Sequence, residues 1–259
     1  MLRKFSSRQR LEMILNAQRN TAARLDQIEQ TLSALDDKVT AVSRQMSGLE
    51  NRMRRNLRFA ADVAAAQESA EFMTANLAGA RALADRFDTI RFVVAQAPSG
   101  LHLEFGVAGG KSLRTICESS PKGKVFGFDT FQGLPDAWRV GFDRGTFAQD
   151  SIPHVEGAEL EIGLFQETLE PFLAKHPEPI AFMHLDADLY SSTKYVLDTC
   201  TSRILPGAIL LFDEYFNYPG WQHHEHKAFT EWASANRVEW EYIAYAFSGE
   251  QVAVRINSL

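Results

Sequence analysis

The sequence predicts an α/β protein: a doubly wound, mostly parallel seven-stranded sheet in the order 3-2-1-4-5-7-6, preceded by a long coiled-coil helix. Three observations predict it. Short β-rich runs alternate with helix-like segments from residue 101 onward, the pattern of a sheet wound with crossover helices. The last two runs are separated by too little chain for a crossover and must form an antiparallel hairpin. Ahead of them, apolar residues repeat with a 3.5-residue period.

In that N-terminal stretch, Leu25, Ile28, Leu32, Leu35, Val39, Val42, Met46, Leu49 and Met53 recur at alternating steps of three and four. Leu11 and Ile14 share the register, and Gln18 and Thr21 interrupt it. A seam this narrow cannot be buried by one helix, so the rod calls for a partner helix and points to a homo-oligomer. Packing on the chain's own globular part is the alternative. Arg24 at a g position and Glu29 at the following e suit a parallel pair. The domains read as 1–57, a helical coiled-coil oligomerisation region; 58–98, a helical connection docking onto the core; and 99–259, the α/β domain.

Charge divides the same way. The formal net charge of −6 conceals +6 over residues 1–60 and −12 over the rest, so the two regions have different electrostatic tasks. Arg52, Arg54, Arg55 and Arg58 form a basic cluster, read as a solvated face or a contact for the acidic domain, with phosphate or anionic lipid as the other option. Leu2 and Phe5, flanked by Arg3 and Lys4, give the first residues a weak aptitude for peripheral membrane contact. No run of about 18 apolar residues spans a bilayer, and no secretory h-region is present. Cys117 and Cys200 are too few to staple the chain, so a reduced, cytoplasmic setting is expected. A nucleic-acid partner is not expected.

The strands are LHLEFGV (101–107), KVFGFD (124–129), ELEIGLF (159–165), PIAFMHLD (179–186), GAILLFDE (207–214), WEYIAYA (240–246) and QVAVRI (251–256). The first five should be parallel with right-handed connections, which places the binding crevice at their carboxyl ends. The long connection 130–158, with Phe131, Trp138, Arg139 and Phe142, reads as a lid or binding loop over that crevice.

The first strand runs into Glu104-Phe-Gly106-Val-Ala-Gly109-Gly110-Lys111-Ser112 and then a helix. Glycines let a ligand approach the backbone, and the helix N-terminus offers free N–H groups. The spacing misses the dinucleotide fingerprint, because position 108 is Ala, and misses the P-loop by one residue. Asp129, 20 residues after Gly109 at the end of the second strand, suits a ribose, with a turn or cap role as the alternative. His184-Leu-Asp186-Ala-Asp188 closes the fourth strand and Asp213-Glu214 the fifth. Asp186, Asp213 and Glu214 therefore converge. Their mutual repulsion asks for a cation, and all-oxygen ligation suits Mg²⁺.

E-x-G-x-x-x-G resembles motif I of class I S-adenosylmethionine-dependent methyltransferases. Together, LEFGVAGG, FGFDTFQGLP, HLDADLYSSTKYVL and LPGAILLFDEY resemble the macrocin O-methyltransferase family, metal-dependent enzymes of sugar and natural-product modification. The resemblance covers roughly 90–256. It implies metal ligation by Asp186, Asp213 and Glu214, and S-adenosylmethionine contacts at Glu104, Gly106, Gly109, Ser112, Asp129 and Gln166. Related enzymes place Lys or His three residues after the first metal Asp. Leu189 stands there, so the base is sought in Asp188 or in His224 or His223. The implied function is Mg²⁺-dependent methylation of a hydroxyl on a sugar or secondary metabolite. A non-catalytic scaffold with a methyltransferase-like ligand-binding domain, and an NTPase using the GGKS run, are the competing readings.

Overall fold

A computed structural model describes residues 6–120 and 123–259. The chain divides into two compact units, residues 1–60 and 61–259. The first is dominated by α1 (Ser7–Arg55), 49 residues long and so about 73 Å at 1.5 Å per residue. Ser6 and Gln9 form a reciprocal capping box at its start, which satisfies two otherwise free N–H groups. Thr21, an interruption of the heptads, returns its hydroxyl to the Ala17 carbonyl, and the helix continues. No residue of α1 is buried, and the whole seam from Leu25 to Met53 is exposed. Asn56 ends the helix and its side chain accepts from Phe59 N–H, opening α2 (Leu57–Asn76). The peripheral membrane segment expected at Leu2–Phe5 lies outside the described residues. Among the described residues no helix is long and apolar enough to cross a membrane.

After α2 the second unit continues through β1 (Arg81–Leu83), α3 (Arg86–Val94), β2 (Gly100–Phe105), α4 (Lys111–Ser119), β3 (Gly123–Asp129) and β4 (Ala158–Ile162). It closes with α5 (Phe165–Lys175), β5 (Ile180–Leu185), α6 (Tyr190–Cys200), β6 (Ile204–Phe212), α7 (Glu225–Asn236), β7 (Glu239–Ala246) and β8 (Val252–Ser258). The sheet order is β1-β7-β8-β6-β5-β2-β3-β4. The five central strands pair in parallel, and β8 is antiparallel to both β6 and β7. The expected order of seven strands is present, but the count is eight, because β1 adds to the edge parallel to β7. Three residues are too few for alternation to register, so the segment 58–98 is not wholly helical as the sequence implied. The third expected strand is also shorter: Gly163, at φ +147°, ends it, and Phe165 already begins α5.

Both faces of the sheet are covered, which explains the near-continuous apolar runs of its central strands. Leu103, Phe105, Leu210 and Phe212 pack with Phe172, Leu197 and Trp232 from α5, α6 and α7. Phe182, Ile209 and Leu211 pack on the other face with Ile90, Val93, Leu113 and Ile116 from α3 and α4. With both faces filled, the carboxyl ends of β2 to β6 are left as the place for a site.

Candidate active site

Two loops meet at the centre of that edge. Gly106 follows β2 with φ +95°, and a Cβ there would collide with the backbone carbonyl of Asp186, so only glycine permits the approach. The loop reaches α4 through Gly110, whose left-handed φ of +74° makes it the N-cap without a side-chain bond to the helix. The first N–H groups of α4 are therefore not capped by that residue. Asp129, ending β3, accepts from Val107 N–H at 2.8 Å and Ala108 N–H at 2.7 Å with one oxygen, and from Phe131 N–H at 2.7 Å with the other. Its carboxylate braces the glycine loop, the turn role weighed as the alternative to ribose binding. Of roughly four acceptor positions on a carboxylate, these bonds leave one open.

The second element is a ledge of acids at the ends of β5 and β6. Asp186 N–H bonds the Phe105 carbonyl and Asp213 N–H the Leu185 carbonyl, which holds these strand ends level. Asp186, Asp188 and Glu214 present carboxylate oxygens that lie within 4.8 Å of one another, as do ligand atoms of His184, Asp186 and Asp213. Asp188 is buried with φ +58°, a left-handed conformation that costs a non-glycine residue energy and is characteristic of functional positions.

Charge compensation comes from two residues to which the sequence assigned no role. Arg86, the first residue of α3, places Nη2 3.0 Å from Asp186 Oδ2 and 3.2 Å from Asp213 Oδ2. His184 donates between Glu104 Oε1 at 2.8 Å and Asp213 Oδ1 at 3.3 Å, all in the interior. Burial disfavours the imidazolium, but bonds to Asp213 and Glu104 outweigh it and raise His184 to about 10. Asp213 is held low against burial by His184 and Arg86. Burial, then the Asp213 charge, pushes Asp186 and Glu214 well above the ordinary carboxylate range, and brings Asp188 to about 7. Glu225, fully buried, accepts from Glu214 N–H at 3.0 Å, Ala187 N–H at 3.4 Å and the Thr193 hydroxyl at 3.3 Å, tying both strand ends together. The acids outnumber the cations. Glu214 Oε2 is buried with no hydrogen-bond partner among the described residues.

Between the glycine loop and the ledge lies a cavity of about 740 Å³, within the range of small-molecule and cofactor sites. Gly106, Gly109, Ser112, Asp129, Gln166, Asp186, Asp188 and Glu214 line it. Gly133, Leu134, Phe147 and Gln149 from the connection 130–158 form another wall.

Three expected residues are not among the lining. Glu104 faces His184 across the β2–β5 register, because that strand position points into the sheet interior. Asp213 has both oxygens committed to His184 and Arg86. His224 sits with its ring 6.3 Å from that of Trp138 and 6.0 Å from that of Tyr218. Arg86 does line the cavity, yet it is 100 residues from Asp186, and no local pattern marks it.

Residues 103–215 match the profile of a family described as a methyltransferase domain. This segment is a class I, S-adenosylmethionine-dependent methyltransferase domain. The matched stretch holds the glycine loop, Asp129 and the whole ledge, while Arg86 and Glu225 lie outside it. The methyltransferase domain also resembles solved structures. A calicheamicin methyltransferase, CalS11, is 28% identical over 65% of this chain and 76% of its own, with a TM-score of 0.52. The O-methyltransferase NovP is 21% identical over 67% of this chain and 80% of its own, with a TM-score of 0.52, a likeness of fold. No curated protein sequence matches the chain.

Proposed function

We propose that the protein is an O-methyltransferase that moves the methyl group of S-adenosylmethionine to a hydroxyl of a sugar or secondary metabolite, with a divalent cation, Mg²⁺ by preference, at the ledge. One observation carries this: a single cavity joins a glycine loop built for close backbone approach to a ledge of carboxylates in excess over their cations. The likeness to CalS11, a calicheamicin methyltransferase, favours a natural-product acceptor. The basis for oxygen as the acceptor atom is chemical, because hard cations on carboxylates recruit oxygen.

The nucleoside end of the cofactor belongs against Gly106–Gly109, Ser112 and Gln166, with the remaining acceptor position of Asp129 toward the ribose. The ledge fits a cation, since Glu214 Oε2 is orphaned there. Asp186 and Glu214 would hold it, in keeping with the one or two carboxylates that Mg²⁺ usually takes. Bound there, such an ion supplies Lewis acidity that lowers the pKa of the acceptor hydroxyl, and the sulfonium supplies the methyl group. Asp188, alongside in the cavity wall, accepts the hydroxyl proton at its carboxylate. Glu225 keeps Glu214 and the 187–188 turn in place through its three bonds. The 130–158 connection walls one side of the cavity with Gly133, Leu134, Phe147 and Gln149. Arg139 anchors that wall, stacking 4.0 Å from the Trp138 ring and 4.4 Å from the Tyr218 ring, and pairing with Glu250 at 3.3 Å.

Residues 1–57 act as a coiled-coil oligomerisation region and 99–259 as the catalytic domain, with the exposed seam of α1 covered by the same helix of a second copy. The unbroken heptads from Leu25 to Met53 support that occupant. Free thiols at Cys117 and Cys200 are in keeping with a cytoplasmic setting. Calorimetry with S-adenosylmethionine, followed by methyl transfer to a panel of sugars with and without chelator, tests the activity. Failure to bind the cofactor at millimolar concentration would end this reading. Sedimentation of the full chain and of a Leu32→Glu, Val39→Glu variant tests the assembly, with a monomer expected only for the variant.

A further inference from the structure

The two halves of the acid ledge differ in what already faces them. On one half, Arg86 Nη2 bridges Asp186 Oδ2 and Asp213 Oδ2 at 3.0 and 3.2 Å, and His184 takes the other Asp213 oxygen at 3.3 Å. Both oxygens of a buried carboxylate thus face cationic groups that the chain itself supplies. On the other half, Glu214 Oε2 is buried and has no partner among the described residues, beside Asp186 and Asp188. A divalent ion placed against Asp213 would meet a guanidinium or an imidazolium at either oxygen, whereas Asp186 gives Arg86 only Oδ2 and keeps Oδ1 for a ligand; like charges at contact distance repel strongly.

We propose that Arg86 is a built-in counter-cation that fills the Asp186–Asp213 half of the ledge and confines the divalent ion to the Asp186–Glu214 half, leaving Asp213 outside the ligand set. This rests on the metal-assisted reading above and assigns its ligands. It departs from the set of Asp186, Asp213 and Glu214 that the family resemblance implies. The departure originates outside the matched domain segment, in the first residue of α3. Asp85 caps that helix, accepting from Phe87 and Asp88 N–H, which fixes the point from which Arg86 reaches in. Arg86 and Asp213 are positioning residues: one neutralises, the other holds Arg86 and His184.

The test is Mn²⁺ binding to the full-length protein, followed by electron paramagnetic resonance and calorimetry, which needs no turnover. Wild type should bind one ion. Glu214→Gln should weaken it by about tenfold or more, and Asp213→Asn by clearly less than Glu214→Gln. Arg86→Ala should bind a second ion at the vacated half, and in that background Asp213→Asn should weaken binding by about tenfold. Arg86→Lys, which keeps the charge, should bind one ion as wild type does. Thermal melts confirm that each variant is folded. If Asp213→Asn does not fold, the stoichiometry of Arg86→Ala against Arg86→Lys decides alone. Loss of the ion in Asp213→Asn as severe as in Glu214→Gln, or a single ion in Arg86→Ala, overturns the proposal while leaving a metal at the ledge. A wild type that binds S-adenosylmethionine but no Mn²⁺ at millimolar concentration overturns both the proposal and the metal-assisted reading.

Discussion

The glycine-loop end of the cavity and its acid end solve opposite problems. At the first, one carboxylate, Asp129, receives three backbone N–H groups, and the shape of the site is set by main chain. Charge is low there, and precision comes from conformations that only glycine tolerates. At the second, Asp186, Asp188, Asp213 and Glu214 crowd together beside Arg86 and His184. The shape there is set by side chains reaching in from β5, β6 and α3. The difference teaches that a backbone-built subsite is specified over a few adjacent residues, whereas a charge-built one depends on which distant elements are packed beside it.

If that contrast is right, damage at the two ends separates. The largest effect is expected at the acid end: Asp188→Asn should lower kcat by about 10²–10⁴-fold, the usual contribution of a general base. Cofactor affinity by calorimetry should change little. Gly106→Ala should do the reverse, adding a Cβ that meets the Asp186 backbone at φ +95°. A stability loss of about 3 kcal/mol is expected from strain and overpacking, read as a fall in Tm together with lost cofactor binding. A Gly106→Ala protein that keeps its Tm and its affinity would break the comparison.

Asp129→Asn removes the charge from the loop brace. It should weaken S-adenosylmethionine by about tenfold, on the scale of one charge-assisted hydrogen bond, and leave Mn²⁺ affinity unchanged. Coupled losses of both ligands would show that the ends are not independent.

The smallest effect concerns acid sensitivity on the ledge's side of the fold. His226 is caged by Phe72, Tyr215 and Trp221, and burial lowers its pKa from 6.5 to about 4. Between these values the unfolded chain binds the proton and the folded chain does not, so stability rises with pH across that window and is lost as pH falls through it. Relative to His226→Gln, wild type should lose roughly 2 kcal/mol from pH 7 to pH 4, after discounting for residual exposure of the ring. A constant difference between the two proteins in urea melts across that range would remove His226 from the account.

The same contrast explains what was legible beforehand. The heptads of α1, the strand runs and the glycine loop are periodic or contiguous features, readable without knowing what packs where. Their parallel and antiparallel directions followed from chain length between runs and the rules of crossovers. Glu104 was assigned to the cofactor from its place in a motif, but its side chain turns to His184 on the neighbouring strand. Glu225 belongs to no motif in the sequence, yet it is fully buried beneath the ledge. Strand β1 was too short to leave a pattern.

Sequence alone therefore determined the α/β class, the seven principal strands, the glycine loop and the acids that would gather at the strand ends, because each depends on local spacing or on alternation along a single strand. Only the tertiary structure decided which of those acids stay without a cation. Arg86 reaches Asp186 across 100 residues of chain, and a charge pair of that kind is set by how α3 packs against the sheet. Electrostatic energy depends on distance in space, to which separation along the chain is blind.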